Sequence, residues 1–513
     1  MHLAYSRKKI MEASLQLMLF VFLPLLFIVL VARARSHLKS KTRNLPPSPK
    51  PEFLLLGHLY LLKDKPLLHR TLDALSKQLG PIFSLRFGSR LVVVVSSPSA
   101  AEECFTKNDI ILANRPRLII GKHIGYNNTT MVQSPYGDHW RNLRKLATLE
   151  IFSTTRLNMF LSIRQDEVNQ LLRRLSKISR HEFAKVEMKS NLSELSFNVI
   201  TRMIGGEKYF GEDVDNQAET MSAREVISKV ISQGGASHAA DFVPLLRWMD
   251  YDGYEKGLVA LSKQRDKILE DIIDKHRGDQ SRNSMVDHLL SLQKSEPDYY
   301  SDSIIKGLMT VMILAGTDTS AVTIEWAMSL LLNNPEVLRK ARDEIDTILG
   351  HDHLVEELDI SNLPYLQNII SETLRLFPAA PLLVPHEASA DCIIGGYDVP
   401  RGTMLLVNAW SIHRDEKVWD DPTSFKPERF ETGVSEAYKL MPFGMGRRSC
   451  PGAGLARRVV GLALASLIQC FEWERTSEKE IDLSEGRGLT MPKLKALEAL
   501  CRSRDIINKV LVN

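Results

Sequence analysis

The chain has 513 residues, 44% of them hydrophobic, so it can bury a large core. Its net charge of +4 is small for this length and no long basic block is present, which argues against a nucleic-acid-binding protein. The five cysteines are odd in number and lack paired metal-ligand spacing, which favours a reducing compartment.

The first predicted element is a transmembrane anchor at residues 13–32, after a short N-terminal lead at 1–12. The anchor carries no charge, and as a helix it spans about 30 Å, the thickness of a bilayer's hydrocarbon core. Basic residues follow immediately, which favours a cytosolic C-terminal side. A cleaved secretory signal is the alternative, but the apolar run is long for one. The start, Met1 or Met11, stays open.

A basic and proline-rich hinge is predicted at residues 33–51, because prolines cannot continue a helix and form a stiff, extended spacer. Residues 52–513 follow without a repeat, a low-complexity tract or a long polar linker. They are therefore interpreted as one large domain.

Helical patterns dominate this domain, with long helices predicted within 139–179, 254–276 and 303–377. A buried strand is predicted at 90–97, followed by a helix that opens near Ser99. A hairpin is predicted at 392–408, where β-rich runs flank Gly-Gly and Pro-Arg-Gly turns. Residues 241–253 are interpreted as an apolar break between helices. The predicted fold class is mainly α with a small β component.

The loop Phe443–Gly452, FGMGRRSCPG, places Cys450 among glycines and arginines just before a helical run. A helix start and nearby arginines stabilise an anion, so the thiol is expected as a thiolate. Glycines let the backbone approach a flat ligand. The local interpretation is an axial thiolate ligand to a haem iron. A dinucleotide loop would need glycine at Ser449, a cysteine nucleophile would need an assignable His, and a zinc site would need more ligands.

Five residues of this loop resemble the haem-binding loop of the cytochrome P450 family: Phe443, Gly446, Arg448, Cys450 and Gly452. The resemblance covers nearly the whole chain and implies haem b as the cofactor, with Cys450 as the iron ligand. The stretches KNDIILANRPR, GKHIGYN and SPYGDHWRNLRK resemble the plant microsomal branch that contains isoflavone and flavonoid hydroxylases. This implies a single-pass protein of the endoplasmic reticulum membrane with a cytosolic catalytic domain.

A second motif, AGTDTS, lies inside a predicted helix from about 303 to 332. The resemblance implies that this helix crosses the distal face of the haem, where Ala315 and Gly316 make room for dioxygen. Asp318 and Thr319 are expected to help deliver protons, which favours a monooxygenase over a dioxygen-independent isomerase. Taken alone, Thr319 is a hydroxyl that bonds back to the preceding turn.

Two further sets of residues match the family. The family's buried charge network is resembled by Glu372 and Arg375 of ETLR together with Arg429 of PERF. Without the other motifs, Glu372 and Arg375 would be interpreted as an ordinary surface ion pair. Cationic and N–H donors suit carboxylates, and the resemblance implies four contacts to the haem propionates. These donors are Trp140, Arg144, His386 and Arg448; His386 stands where many relatives have Arg, and its alternative role is an ordinary loop histidine.

No flavin- or nicotinamide-binding motif is present, so the electrons must come from a partner. The resemblance implies NADPH–cytochrome P450 reductase, and NADPH therefore acts only indirectly. A basic docking face is predicted from Lys439, Arg447, Arg457 and Arg458, with a merely solvated surface as the alternative.

The family topology implies an apolar substrate pocket, which favours an apolar small molecule held by burial. Its predicted lining is Leu308, Met312, Leu382, Leu383, Val384 and Leu489. The favoured function is oxidation of a phenolic plant metabolite such as a flavonoid, an isoflavone or a related polyphenol, by ring hydroxylation, coupling or bridge formation. A terpenoid or fatty-acid hydroxylase is the alternative, and a non-catalytic membrane-tethered haem carrier or sensor is an alternative of another class.

Overall fold

The computed structural model describes residues 43–53, 56–62, 67–206, 208, 217–233, 237–250, 252–278, 284–433, 437–488 and 490–508. The predicted lead and anchor lie outside these residues, as does the hinge before residue 43. Two described helical segments, Asp302–Asn333 and Ala453–Cys470, are apolar and long enough to cross a membrane, but 72% of each apolar stretch is buried inside the protein. They are therefore interpreted as core helices.

Helices make up most of the described chain, which confirms the predicted fold class. In chain order they are α1 Leu68–Leu79, α2 Pro98–Phe105, α3 Ile119–His123, α4 Asp138–Leu146, α5 Thr154–Met159, α6 Leu161–Ser179, α7 Met188–Gly205, α8 Gln217–Gln233, α9 Pro244–Met249, α10 Tyr254–Gly278, α11 Met285–Ser295, α12 Asp302–Gly316, α13 Asp318–Asn333, α14 Pro335–Leu349, α15 Pro364–Leu376, α16 Ala409–Ile412 and α17 Ala453–Cys470.

The strands are β1 Ile82–Phe87, β2 Arg90–Val95, β3 Ala184–Glu187, β4 His386–Glu387, β5 Cys392–Ile394, β6 Tyr397–Val399, β7 Met404–Val407, β8 Phe471–Arg475 and β9 Glu498–Ser503. They form a four-stranded sheet in the order β1-β2-β7-β4, a three-stranded sheet in the order β3-β9-β8, and the ribbon β5-β6. Strand β2 runs antiparallel to β1 and parallel to β7, with Val92 opposite Met404.

Local sequence accounts for several of these elements. The predicted strand at 90–97 is confirmed as β2, and α2 begins after Ser97, whose side chain accepts a hydrogen bond from the Ala100 amide. Proline at the first position of α2 suits a helix start, because its missing N–H would have no partner there.

Three predictions need correction. Only the first half of the predicted 392–408 hairpin exists, as β5-β6, because β7 turns away to pair with β2. The apolar break at 241–253 contains the short helix α9, which Pro244 opens. The helix predicted at 303–332 is interrupted at Thr317, whose φ of −86° and ψ of −68° separate α12 from α13.

The largest hydrophobic cluster lies where α7, α12, α13, α15 and α17 pack together. Helices α13 and α17 are buried almost around their full circumference, which explains why both are apolar on every face rather than along one stripe. This cluster fixes the distance between the α12–α13 break and the loop that precedes α17.

Candidate active site

A cavity of about 290 Å³ lies between the α12–α13 break and the loop before α17. Most of its wall is apolar, and no Asp or Glu is among its described lining residues. The loop contributes Pro442, Phe443, Gly444, Met445, Arg448, Cys450, Pro451 and Gly452; the facing helices contribute Val311, Met312, Ala315, Gly316, Thr319, Ser320 and Thr323.

The loop is folded back on itself so that Cys450 faces the cavity. The Cys450 amide donates to the Phe443 carbonyl oxygen at 2.8 Å, which closes the loop. Gly444 and Gly446 adopt φ values of +68° and +65°, which glycine tolerates best. A Cβ at Gly446 would lie 2.4 Å from Asp109 Oδ1, so a side chain cannot fit there.

The surroundings of the Cys450 thiol affect its pKa in opposite directions. Burial raises the pKa of its thiol, whereas the Gly452 amide and the positive charge of Arg144 lower it without compensating fully. A bound metal cation would further stabilise the thiolate form of Cys450.

One edge of the cavity carries four cationic or ionisable side chains: Arg115, Arg144, His386 and Arg448. Burial and the charge of Arg144 lower the pKa of Arg448 to about 10. Because no described lining residue offers a carboxylate, this edge lacks an anionic partner from the protein. It suits a ligand that carries carboxylates.

In the structure, two predicted propionate donors are occupied by the protein's own carbonyl groups. Arg448 donates to Ala113 at 2.7 Å, Ser134 at 2.5 Å and Met131 at 3.1 Å, and the Trp140 indole N–H also donates to Met131 at 3.1 Å. The Arg448 guanidinium stacks on the Trp140 ring at 4.4 Å. These bonds fix the direction of both donors, so a ligand carboxylate must share or replace them.

Arg144 and His386 complete the predicted donors. Arg144 donates to the Ser449 carbonyl oxygen at 2.5 Å, immediately before Cys450. Burial, with the nearby charges of Arg115 and Arg448, lowers the pKa of His386 well below its ordinary value. The His386 Nδ1 donates a hydrogen bond to the Leu112 carbonyl oxygen at 2.7 Å.

Sequence reasoning missed Arg115, which is half-buried at the same edge and whose Nε is fully buried. Its Nη1 donates at 2.7 Å to the carbonyl oxygens of both Val384 and Pro385, and its Nε has no hydrogen-bond partner. An unpaired buried donor is costly unless a ligand satisfies it. Arg115 lies in the stretch KNDIILANRPR, which was used only for the resemblance, and its hydrogen-bond partners are about 270 positions away in sequence.

The facing wall is formed at the end of α12 and the start of α13. Ala315, Gly316 and Thr319 line the cavity, as the resemblance implied. The Thr319 hydroxyl donates to the Ala315 carbonyl oxygen at 2.8 Å, as the local interpretation had it. A Cβ at Gly316 would lie 2.5 Å from Ile200 Cδ1, so this glycine also permits α7 to pack closely.

Asp318 does not line the cavity, although Thr319 beside it does. Its carboxylate accepts a hydrogen bond from the Thr490 hydroxyl. Among the predicted pocket residues, Met312, Leu383 and Val384 line the cavity.

Leu308 and Leu382 do not line it. Leu308 lies one turn before Met312 and packs in the main core, while Leu382 packs against the cluster around β1 and β2. Leu489 lies outside the described residues.

The predicted charge network is brought together away from the cavity wall. Arg375 donates to Glu372 at 2.6 and 2.8 Å, and Arg429 Nε donates to the same carboxylate at 2.9 Å. Glu372 and Arg375 are both 0% exposed. Arg375 also donates to the carbonyl oxygens of His413 and Pro422, so this network ties α15 to the segment around residues 413–429.

The predicted basic docking face is largely engaged in internal contacts. Arg447 pairs with Asp109 at 2.7 Å, and Arg458 pairs at 2.7 Å with Glu357, a buried carboxylate that also binds Arg164. Arg457 is exposed, lies over the Phe443 ring at 5.5 Å and also contributes to the lining of the cavity.

Known proteins that resemble this chain identify its family. A family model described as cytochrome P450 matches residues 46–498. The chain belongs to the cytochrome P450 family. As a P450 it is a haem-thiolate monooxygenase that uses haem b, takes electrons from NADPH through a redox partner and acts on a small molecule.

Several relatives of high sequence identity are plant P450s. The chain is 60% identical over 501 residues to cytochrome P450 81Q32 of Catharanthus roseus, covering 98% of this chain and 99% of that protein. It is 55% identical to (+)-piperitol/(+)-sesamin synthase CYP81Q2 of Sesamum radiatum (95% and 96% covered) and 53% identical to isoflavone 3'-hydroxylase of Medicago truncatula (95% and 98% covered). These relatives confirm the resemblance to the plant branch.

Solved structures agree with the fold. A zebra fish cytochrome P450 with progesterone superimposes with a TM-score of 0.74 at 26% identity, covering 85% of this chain and 99% of that one. The same comparison with an abiraterone structure gives a TM-score of 0.72.

The residues present fit haem b. Cys450 offers one thiol toward the cavity, the edge formed by Arg115, Arg144, His386 and Arg448 suits two propionates, and the remaining wall is apolar. When bound, haem supplies the activation of dioxygen. This P450's own residues bind and orient the cofactor and substrate, and its apolar wall excludes bulk water from the cavity.

Proposed function

We propose that this P450 oxidises an uncharged phenolic plant metabolite such as a flavonoid, an isoflavone or a related polyphenol. The observation that carries the proposal is the composition of the wall that faces Cys450. Val311, Met312 and Leu383 are apolar, and the polar groups of the facing helices are hydroxyls, those of Thr319, Ser320 and Thr323. Such a wall holds a flat aromatic body by burial and orients it with few hydrogen bonds.

The names of the relatives support the same substrate class. One is an isoflavone 3'-hydroxylase and another an isoflavone 2'-hydroxylase, so ring hydroxylation is the first reaction to test. The relative named (+)-piperitol/(+)-sesamin synthase supports bridge formation as a second outcome. Both outcomes use the same cavity, and substitutions in its wall that change competing barriers by about 1–3 kcal/mol redirect the product.

Asp318 and Thr319 are proposed to pass protons toward the substrate side of Cys450. Thr319 lines the cavity and Asp318 is its neighbour in sequence, at the start of α13 and partly exposed. A carboxylic acid can take up a proton from solvent and hand it to a hydroxyl, which hands on another. The helix is interrupted at Thr317, immediately before these two residues.

The redox partner is proposed to be NADPH–cytochrome P450 reductase, with both proteins held at the endoplasmic reticulum membrane. The uncharged stretch at residues 13–32 supports a single-pass anchor, and the basic residues after it support a cytosolic catalytic domain. Arg457 is exposed beside the Cys450 loop, and an acidic flavin domain would be attracted to it.

A binding titration tests the substrate class. The membrane-expressed protein is titrated separately with flavonoids, other polyphenols, terpenoids and fatty acids, and the ferric haem is followed for a low- to high-spin shift. A saturable shift confined to phenolics supports the proposal. A shift confined to terpenoids or fatty acids contradicts it and favours a terpenoid or fatty-acid hydroxylase.

The docking face is tested with Arg457→Glu, because Arg458 binds the buried Glu357 and its reversal would disturb the fold. Reductase-supported turnover should fall while peroxide-supported turnover survives. Because Arg457 also lines the cavity, the peroxide-supported activity is the internal control for a change in the cavity itself. Lys267→Glu controls for the reversal of an exposed positive charge, since Lys267 is an exposed lysine of α10, which contributes no described residue to the cavity wall. Equal loss of both activities in Arg457→Glu would refute the docking role.

A further inference from the structure

Thr490 holds the carboxylate of Asp318 from a distant part of the chain. Its hydroxyl donates to Asp318 Oδ2 across 172 positions of sequence. Thr490 is 6% exposed, and neither residue lines the cavity. The carboxylate therefore lies beside the cavity wall at a fixed point, while Thr319, one residue further on, faces the cavity.

The segment that carries Thr490 is rigidly attached on two sides. The Met491 amide donates to the Ala379 carbonyl oxygen at 2.9 Å, and Ala379 lines the cavity. The Trp326 indole N–H donates to the Met491 carbonyl oxygen at 2.8 Å. Trp326 is 0% exposed and stacks on Phe377 with ring centroids 3.9 Å apart. The Thr490 hydroxyl is thus placed by α13 and by the cavity wall together.

We propose that Thr490 is a positioning residue that keeps the Asp318 carboxylate in the orientation from which it takes up and passes on protons. This inference rests on the proton role proposed above for Asp318 and Thr319. A side chain at the start of a helix has several rotamers, and a single buried donor that is itself held in place selects one of them. Valine at 490 has nearly the same shape but no donor.

The stoichiometry of hydroxylation determines which measured quantity should change when Asp318 is misplaced. Each hydroxylation consumes one dioxygen, two electrons from NADPH and two protons; one oxygen atom enters the substrate and the other leaves as water. When protons arrive late, the same two electrons and two protons leave with both oxygen atoms as hydrogen peroxide. Misplacing Asp318 therefore shifts NADPH consumption from product toward peroxide, without altering how the substrate binds.

The test measures product and hydrogen peroxide per NADPH in reconstituted holoenzyme, using the panel compound with the largest spin shift. The variants are Thr490→Val, Thr490→Ser, Asp318→Asn and the double variant Asp318→Asn/Thr490→Val. Thr201→Val is the matched control, because Thr201 is a buried threonine whose hydroxyl bonds only to the backbone of its own helix.

Thr490→Val is expected to lower product per NADPH about threefold. General acid–base catalysis contributes roughly 10²- to 10⁴-fold to a rate, and this variant keeps the proton-transferring group and changes only its orientation. Peroxide should rise correspondingly, with the spin-shift affinity unchanged. Thr490→Ser should stay close to wild type. In the Asp318→Asn background, Thr490→Val should have no further effect, because the group it positions has gone.

Other results would contradict either the proton role of Asp318 or the positioning role of Thr490. If Asp318→Asn leaves coupling unchanged, the proton role of Asp318 is wrong and the inference falls with it. If Asp318→Asn lowers coupling but Thr490→Val does not, only the role of Thr490 is wrong. Additive effects in the double variant, or an effect of Thr201→Val as large as that of Thr490→Val, would mean that Thr490 acts through general stability.

Discussion

Replacing Glu372 by Ala tests whether the buried network stabilises the fold as the structure implies. The carboxylate accepts two hydrogen bonds from Arg375, one from Arg429 and one from the Lys426 amide. Removing one partner of a buried ion pair leaves an uncompensated charge and costs about 3–5 kcal/mol. Here two guanidinium groups lose their anion, so we expect a loss of about 4 kcal/mol in the free energy of unfolding.

The expected change in melting temperature follows from the size of the domain. At about 2 cal/mol/K per residue, a domain of this length unfolds with an entropy near 1 kcal/mol/K, so the midpoint should fall by about 4 °C. Glu472→Ala is the control, because Glu472 accepts two hydrogen bonds from Arg502 in an exposed pair, with side chains 39% and 44% exposed. An exposed pair contributes about 0–1 kcal/mol, and its loss should lower the midpoint by about 1 °C or less.

The assay is calorimetric unfolding of the holoprotein at one scan rate for all variants, because large proteins unfold irreversibly. Haem absorbance is followed in parallel. If Glu372→Ala does not accumulate, Glu372→Gln keeps the shape and one acceptor oxygen and should give a smaller loss in the same direction. Equal midpoints for the Glu372 and Glu472 variants would refute the reasoning from burial.

Three other predictions concern the site and its surroundings. Cys450→Ala should abolish the thiolate-type haem spectrum, whereas Cys392→Ala, which does not touch the cavity, should keep it; retained thiolate ligation in the first variant would contradict the assignment. Gly316→Ala should destabilise the protein by about 1–3 kcal/mol, because the new Cβ clashes with Ile200 Cδ1. Adding Ile200→Val removes that atom and should restore part of the lost stability, as measured by thermal unfolding. Burial lowers the pKa of Lys493 from 10.5 to about 8, so the unfolded chain binds more protons than the folded protein between these pH values. The free energy of unfolding, relative to that of Lys493→Met, should therefore rise from about pH 8 to 10. A difference between the two proteins that does not change with pH would contradict this.

The sequence predicted those parts of the site that depend on nearby residues. The Cys450 loop could be recognised because its glycines, arginines and cysteine lie within ten positions. The motif AGTDTS could be recognised because Ala315, Gly316 and Thr319 lie within five positions. In each case the chemistry and the geometry come from one short segment.

Features that depend on distant contacts were missed or misplaced. Arg115 is held by carbonyl oxygens 269 and 270 positions away, and Asp318 by a hydroxyl 172 positions away, and neither contact has a local signal. Arg458 looked like a free surface charge until the fold brought Glu357 beside it. The position of β7 likewise depends on pairing with β2 across the chain, which no local alternation specifies.

The most direct test of the central claim is turnover of the best-binding phenolic in ¹⁸O₂ with NADPH and reductase, with product analysis by mass spectrometry. The account predicts a ring-hydroxylated product that carries one ¹⁸O atom and requires NADPH, dioxygen and Cys450. Product formed without dioxygen, or oxidation of terpenoids or fatty acids with every phenolic left unchanged, would contradict it.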